Sequence, residues 1–407
     1  MTELGIATPK LRFKEFAEEW RETTLGEVGK TFNGLTGKSG SDFDSGLPFI
    51  TYKQIFDSSE IDLQKTGQVE VSADEKQNVV KYGDIFFTGS SETPEEVGFS
   101  SVLLSKPDQP TYLNSFCFGF RANSMNILDP QFARSYFRSP VVRDKIMVLA
   151  QGSTRFNISK LGMMKIKVNL PSQAEQKKIA GFLSAVDAKI EILQRQSELL
   201  EKYKTGVMQK IFAQKIRFAD KSGKPYPDWE TKKLGAVFSE RTERSGEGEL
   251  ISVTINSGLV PFSDIERKNN SSEDKSNYKV VRKGDIAYNS MRMWQGASGI
   301  SKYDGIVSPA YTVIISNDNN SSKFWSYRFK KTDAINIFQR HSQGLTSDTW
   351  NLKYKPFSKI EFMVPTLAEQ QQIATFLSAL DDKIKLENDI ISSVTEFKKS
   401  LLQIMFV

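Results

Sequence analysis

The 407-residue sequence is poor in the side chains that build covalent and metal-bound frameworks, with one cysteine, Cys117, and one histidine, His341. A single cysteine excludes an internal disulfide framework, and the lack of any Cys/His cluster excludes a zinc site of ordinary spacing. No apolar run approaches the roughly 18 residues that cross a bilayer, and the N-terminus lacks the pattern of a secretion signal. We therefore expect a cytoplasmic protein that is neither exported nor inserted in a membrane.

Catalytic signatures are also missing. The segments after Gly83-Asp84-Ile85 and Gly284-Asp285-Ile286 lack the Asn/Asp-Pro-Pro-aromatic motif of amino-methyltransferases, and no Rossmann-type glycine loop occurs. His341 has neither a second histidine nor a convincing triad, which favours a surface or hydrogen-bonding role over that of a catalytic base. By elimination, the sequence indicates a binding protein.

The composition supports a folded, mildly basic chain. Hydrophobic residues make up 39% of the sequence, enough for two ordinary globular domains. The balance of 55 Lys and Arg against 49 Asp and Glu gives a net charge of +6, which favours polyanionic partners over polycationic ones.

An internal repeat organises the chain. The segment PSQAEQKKIAGFLSAVDAKI, which begins at Pro171, returns as PTLAEQQQIATFLSALDDKI from Pro365, with thirteen of twenty positions identical. Weaker matches precede it, such as Lys10-Leu-Arg-Phe13 with Lys215-Ile-Arg-Phe218 and the two Gly-Asp-Ile segments. The sequence therefore predicts a duplicated unit of nearly 200 residues.

Each repeated segment begins with a capping box, Ser172-x-x-Glu175 or Thr366-x-x-Glu369, in which hydroxyl and carboxylate each satisfy a free helix amide. Apolar residues then recur at the alternating spacing of a coiled-coil seam, which predicts two helices about 60 Å long that pack on each other. The polar seam residues are Ser197, Lys204, Glu387 and Lys398, and we hypothesise that a pairing of Glu387 with Lys204, or an equivalent pairing, fixes the register.

The remaining regions are rich in short strand-like runs bounded by turn residues, such as 84–87, 116–120 and 311–315. We interpret residues 1–165 and 215–361 as mixed, mostly β domains, with helices near 130–150 and 322–341. Residues 171–212 and 365–407 are the long helices.

Polar loops in both halves carry side chains suited to base edges, in Ser153-Thr-Arg-Phe-Asn157 and in Asn289-Ser-Met-Arg-Met-Trp-Gln295. Arg can bind guanine in bidentate fashion, and Asn or Gln can bind adenine. Nearby basic residues are candidates for phosphate neutralisation: Arg134, Arg138, Arg143, Lys145, Lys160, Lys165, Arg282, Lys283, Arg328, Lys330, Lys331, Arg340 and Lys353.

With both repeats considered, the sequence resembles the specificity subunit of type I restriction-modification systems along essentially its whole length. The resemblance rests on the helical segments at 171 and 365, the Gly-Asp-Ile segments at 83 and 284, the Met-Arg-Met-Trp-Gln run at 291, and the Gly-Ser and Gly-Leu-Thr loops at 152 and 344. It implies an α+β fold of two mixed, mostly β target recognition domains, each followed by a long helix. The two helices would form an antiparallel coiled-coil spacer in a pseudo-twofold duplication.

The resemblance also implies partners. Each recognition domain would read one half of a split, asymmetric sequence in double-stranded DNA. Two modification subunits, carrying S-adenosylmethionine, would methylate adenine, and two restriction subunits would use ATP and Mg to translocate and cut unmethylated DNA. No catalytic residue, metal or cofactor is expected in this chain.

Matching loops supply the expected DNA contacts. In the first half they are Ser90, Ser91, Thr154, Arg155, Asn157 and Lys160; in the second they are Asn289, Ser290, Arg292, Trp294, Gln295, Thr346, Ser347 and Asn351. For Arg292 and Trp294, packing within the domain is an equal alternative to base contact.

Two other functions remain open at this point. A pure scaffold, whose flanking domains bind protein and not DNA, explains the helices but not the base-reading loops. A hydrolase that uses His341 or paired carboxylates has little support in the sequence.

Overall fold

The computed structural model describes residues 8–265 and 273–407, and the chain divides into two compact units. Unit 1 comprises residues 1–195 and 388–407, and unit 2 comprises residues 196–387. Each unit therefore contains one end of each long helix. No helix in the described ranges is long and apolar enough to cross a membrane.

Unit 1 is a set of small sheets covered by helices. Its strands are β1 (Arg21–Thr24), β2 (Gly29–Asn33), β3 (Phe43–Ile50), β4 (Gly67–Val69), β5 (Ile85–Thr88), β6 (Ser90–Ser91), β7 (Ser100–Val102), β8 (Tyr112–Leu113), β9 (Cys117–Ala122), β10 (Ala150–Gln151), β11 (Phe156–Ile158) and β12 (Lys167–Leu170). Its helices are α1 (Leu25–Val28), α2 (Tyr52–Asp57), α3 (Pro130–Tyr136), α4 (Pro140–Met147), α5 (Lys160–Met164) and the start of α6 (Gln173–Phe212). The central antiparallel sheet has the order β2-β9-β5-β7.

Unit 2 repeats this plan. Its strands are β13 (Glu230–Lys233), β14 (Phe238–Glu240), β15 (Ile251–Thr254), β16 (Gly258–Pro261), β17 (Lys279–Val281), β18 (Ile286–Asn289), β19 (Ser298–Ile300), β20 (Gly305–Val307), β21 (Tyr311–Ser316) and β22 (Glu361–Val364). Its helices are α7 (Leu234–Val237), α8 (Ser322–Arg328), α9 (Thr332–His341), α10 (Tyr354–Phe357) and the start of α11 (Leu367–Ile404). The central sheet, β14-β21-β18-β19, matches that of unit 1, which confirms the predicted duplication. Helices α3, α4, α8 and α9 confirm the helices predicted near 130–150 and 322–341.

The two long helices start where the capping motifs predict. The Ser172 hydroxyl accepts a hydrogen bond from the Glu175 amide at 3.4 Å, and Thr366 accepts one from the Glu369 amide at 3.5 Å. The other half of the capping-box prediction is wrong. Both carboxylates are buried and bind an arginine from a distant segment: Glu175 binds Arg12 at 2.7 and 2.8 Å, and Glu369 binds Arg217 at 3.1 and 2.8 Å.

Within each unit, the start of one long helix packs against the end of the other, so the helices run antiparallel. In unit 1, Ile179 and Leu183 share a core with Leu401 and Met405. In unit 2, Ile211 shares a core with the start of α11, through Ile373 and Leu377. The positions of the predicted seam, which recur every three or four residues from Ile179 to Ile211 and from Ile373 to Met405, are all buried or half-buried.

Ion pairs fix the helix register within each unit. Lys398 pairs with Asp187 at 2.5 Å in unit 1, and Lys204 pairs with Asp381 in unit 2. Glu387 is therefore the wrong partner for Lys204, and equivalent pairs through Asp381 and Asp187 take its place. Glu387 lies six residues beyond Asp381, about 9 Å further along the helix.

The Gly-Asp-Ile segments are structural. Asp84 is fully buried and accepts hydrogen bonds from the Lys81 amide at 2.7 Å and from Arg121 of β9. Asp285 repeats these contacts in unit 2, with the Arg282 amide and Arg241. Each motif thus anchors the start of a central strand, and the loop after that strand leaves from a fixed point.

Candidate nucleic-acid interface

Two loops meet in each unit at the end of the central strand. We call residues 89–98 and 289–296 the strand-exit loops, because they follow β5 and β18. We call residues 151–157 and 343–351 the hairpin loops. Together they contain all of the predicted DNA-contacting residues except Lys160, which lies just beyond the first hairpin loop.

In unit 1, backbone pairing joins the two loops. Strand β11 pairs with β6 in antiparallel register, Asn157 opposite Ser90 and Phe156 opposite Ser91. The tip of the hairpin loop is exposed, and the Arg155 guanidinium lies 5.3 Å from the ring centre of Phe116. This surface therefore presents a cation and an aromatic ring side by side.

Unit 2 makes an equivalent junction. The Leu352 amide donates to the Ser290 carbonyl at 2.9 Å, as the Ile158 amide does to the Gly89 carbonyl at 3.1 Å in unit 1. Trp294 of the strand-exit loop packs edge-to-face on Trp350 of the hairpin loop, with ring centres 5.1 Å apart. The structure thus brings together the segments that the sequence matched, in both units.

The fourteen predicted residues differ in access to solvent. Exposed side chains are Thr154, Arg155, Asn157, Arg292, Thr346 and Ser347; half-buried ones are Lys160, Asn289, Trp294, Gln295 and Asn351; buried ones are Ser90, Ser91 and Ser290. The Ser290 hydroxyl donates to the Ala310 carbonyl, and that of Ser91 donates to Glu96. Burial therefore argues against direct DNA contact by these three side chains, and the hydrogen bonds of Ser91 and Ser290 support the loops from within.

The strand-exit loop of unit 2 borders a cavity of about 680 Å³. Asn289, Arg292 and Gln295 line one side, and β15 lines another with Ser252 and Thr254. Among the described residues, the Arg292 guanidinium and the Gln295 amide have no hydrogen-bond partner within the chain. Their donors and acceptors are available to a ligand such as a base edge.

Several basic residues predicted to bind phosphate are engaged by other groups of the protein. Carboxylates bind Arg134, Arg282 and Arg328. Backbone carbonyls accept hydrogen bonds from Arg138, Arg143, Lys145 and Lys330. Of the thirteen candidates, those with no side-chain hydrogen bond or ion pair to another described residue are Lys165, Lys283, Lys331, Arg340 and Lys353.

Apolar side chains near the loops were missed by the sequence reasoning. Leu345, in the second hairpin loop, is fully exposed, and Phe116 is 57% exposed. An apolar residue beside a glycine in an otherwise polar loop is a signal that could have identified Leu345. Exposed apolar groups at this position suit contact with thymine methyl groups or base faces.

His341 and Cys117, the one histidine and the one cysteine of the sequence, lie in ordinary structural surroundings. His341 is exposed at the end of α9, and its Nδ1 lies 2.9 Å from the Ile337 carbonyl. Cys117 is buried in β9, and burial raises the pKa of its thiol to about 12. Across residues 8–265 and 273–407, no three His, Cys, Asp or Glu side chains group as metal ligands.

Comparison with known proteins agrees with this architecture. The sequence profile described as "Type I restriction modification DNA specificity domain" matches twice, at residues 17–202 and 226–396. The chain belongs to this family. Each of its two units holds most of one DNA specificity domain, and recognition of a DNA target by two domains is the function that this membership assigns.

Relatives of the DNA specificity family match along nearly the whole chain. The "Putative type I restriction enzyme MjaX specificity subunit" of Methanocaldococcus jannaschii is 26% identical, over 97% of this chain and 95% of the relative. The StySPI specificity subunit of Salmonella potsdam is 21% identical, over 95% and 88%.

Solved structures show the same fold. The S subunit of a type I restriction-modification system from M. genitalium has a TM-score of 0.55 at 16% identity, covering 98% of this chain and 99% of that one. A chain from a study of type I complex assembly and conformational transition has a TM-score of 0.56 at 14% identity, covering 94% and 96%.

Proposed function

We propose that this chain selects the DNA target of a type I restriction-modification complex, with each unit reading one half of a bipartite sequence. The observation that carries the proposal is the meeting, in both units, of a strand-exit loop and a hairpin loop with exposed polar and basic side chains. The half-sites differ in sequence because the loops differ. Unit 1 offers Thr154, Arg155 and Asn157, whereas unit 2 offers Arg292, Gln295 and the Trp294–Trp350 pair.

The long helices are the spacer in this proposal. Their antiparallel packing and the ion pairs Lys204–Asp381 and Lys398–Asp187 support a fixed register within each unit. A fixed register suits a protein that must hold two reading surfaces at a set distance. Two modification subunits would dock on the chain, and two restriction subunits would join them.

Chemistry belongs to the partners in this proposal. The modification subunits would bind S-adenosylmethionine and methylate adenine, and the restriction subunits would use ATP and Mg to translocate and cut unmethylated DNA. The chain itself would supply no catalytic residue and hold no cofactor. The complex would act in the cytoplasm, where chromosomal and invading DNA meet.

The test is to co-express the chain with the modification subunits of a closely matching system and to map methylated adenines by single-molecule sequencing of genomic DNA. A two-part motif with a constant gap is the expected result. The matched control is a chain with Thr154→Ala, Arg155→Ala, Arg292→Ala and Gln295→Ala, which should assemble but lose the motif. A stable wild-type complex that methylates nothing would favour the scaffold function instead.

A further inference from the structure

The strand-exit loops end at matching glycines whose carbonyls bind cationic side chains, of which Arg143 is buried and Lys330 is half-buried. Gly98 lies two residues before β7 and Gly296 two residues before β19, and both have positive φ, 70° and 81°. The Gly98 carbonyl accepts a hydrogen bond from Arg143 at 2.6 Å. The Gly296 carbonyl accepts one from Lys330 at 2.7 Å.

In unit 1, Arg143 also binds the carbonyls of Glu95 and Val97, both at 2.8 Å, so one guanidinium holds three carbonyls of the same loop. Arg138 binds the Ser100 carbonyl just after the loop and the carbonyls of Ile55, Phe56 and Ser58. Both guanidinium groups lie over the ring of Phe99, at 4.6 and 5.3 Å from its centre.

In unit 2, Lys330 joins the strand-exit loop to the turn between β15 and β16. Its ammonium donates to the carbonyls of Gly296 and Ile255, both at 2.7 Å. Asn289, Arg292 and Gln295 lie on one of the joined segments and Ile255 on the other, and all four line the cavity. Lys330 therefore fixes the two sides of the cavity relative to each other.

The same task is performed by residues at different positions. Aligned along the repeat, Lys330 matches Arg138, and the place of Arg143 is taken by Ile335, which packs beside Gly296. None of these cations has a carboxylate partner among the described residues, so backbone carbonyls supply the compensation for their burial. Placing a cation away from solvent without a carboxylate partner costs free energy, yet both units do so with different side chains. This recurrence indicates that the ends of the strand-exit loops must be held in place.

We propose that Arg143 in unit 1 and Lys330 in unit 2 are positioning residues that hold the strand-exit loops in the conformation that reads DNA. The inference rests on the proposed function. Neither cation contacts the bases, and each acts through the loop that it holds. Loss of either cation should therefore weaken base preference in one half-site only.

The test uses the complete complex and compares the methylated motif of the wild-type chain with those of Arg143→Met and Lys330→Met. We expect each variant to relax base preference about tenfold in one half of the motif, and the two variants to relax opposite halves. Lys323→Met, an exposed lysine of α8 with no side-chain hydrogen bond or ion pair to another described residue, is the matched control and should leave both halves unchanged. Lys330→Gln keeps a neutral hydrogen-bond donor group and should give a smaller relaxation, which provides a readout if Lys330→Met does not assemble.

Hydrogen–deuterium exchange supplies a second measurement on the intact chain. Lys330→Met should speed exchange of the amides in residues 289–296 about tenfold and leave residues 89–98 unchanged. Unchanged preference and exchange in the variants would overturn the proposal, as would equal relaxation of both halves. A wild-type complex without any two-part motif would instead overturn the proposed function, and this inference with it.

Discussion

Arg12 and Glu175 form a bidentate ion pair between the N-terminal segment and the first turn of α6, with both distances under 3 Å. The Glu175 side chain is almost fully buried. Arg217 and Glu369 repeat the pair in unit 2, where the Trp229 indole adds a third hydrogen bond to the carboxylate at 3.1 Å. The repeated Lys-x-Arg-Phe and Ala-Glu-Gln motifs thus recognise each other.

Removal of one partner should be strongly destabilising. Arg12→Ala leaves the Glu175 carboxylate buried without its cation, and we expect the free energy of unfolding to fall by about 3 kcal/mol. Urea unfolding followed by circular dichroism measures the loss. Lys10→Ala, an exposed change two residues away, should cost less than about 0.5 kcal/mol; similar losses in the two variants would refute the assignment.

Substitutions of Glu387 and of Asp381 should change the stability of the protein in different ways. One Glu387 carboxylate oxygen is buried and has no hydrogen-bond partner among the described residues, whereas Asp381 binds Lys204 and the Tyr327 hydroxyl. We expect Glu387→Leu to leave stability unchanged or to raise it by about 1 kcal/mol, and Asp381→Leu to lower it by about 2 kcal/mol. Thermal unfolding of both variants measures these changes. A larger loss of stability in Glu387→Leu than in Asp381→Leu would restore the original hypothesis that Lys204 pairs with Glu387.

The sequence predicted the fold well where the signal is local or repeated. Helix starts follow from Ser172 and Thr366, and the seam follows from apolar spacing. The partner of Glu175 could not be predicted in this way, because Arg12 lies 163 residues away and several nearer groups could satisfy the carboxylate. The register failed for a similar reason, since a seam pattern alone leaves the helices free to shift by whole turns.

The sequence pointed to the segments that contain the candidate site, but not to which of their side chains are exposed. The sequence offered residues 153–157 and 289–295 as base-reading loops, and the structure adds that each meets a second loop of its unit. Pairing of β6 with β11 then buries Ser90 and Ser91, and this contact joins segments more than sixty residues apart. The sequence also does not show whether a charged side chain points toward solvent or into the protein. Arg138 and Arg143 point inward, and burial lowers the pKa of each to about 10.

Arg292 and Lys160 should affect DNA binding differently. Arg292 has no hydrogen-bond partner in the described chain and borders the cavity, so Arg292→Ala should reduce discrimination at one half-site by about 1–3 kcal/mol. Lys160→Ala should weaken all sequences alike and lower the salt slope by about one. Fluorescence anisotropy with matched and mismatched duplexes at several salt concentrations separates these effects. Uniform loss of affinity in both variants would show that Arg292 does not read bases.

Lys330 should make stability depend on pH. Burial lowers the pKa of its ammonium from 10.5 to about 8, so between pH 8 and 10.5 the unfolded chain binds more protons at this position than the folded chain. Stability contributed by Lys330 therefore rises with pH across this window, by at most about 1.4 kcal/mol per pH unit, and is lowest below pH 8. Comparing the wild-type chain with Lys330→Met by urea unfolding at pH 7.5 and 9.5 isolates the effect from other titrating groups. The difference in unfolding free energy between the two proteins should shift in favour of the wild type at the higher pH, and a difference independent of pH would mean that the ammonium is not buried.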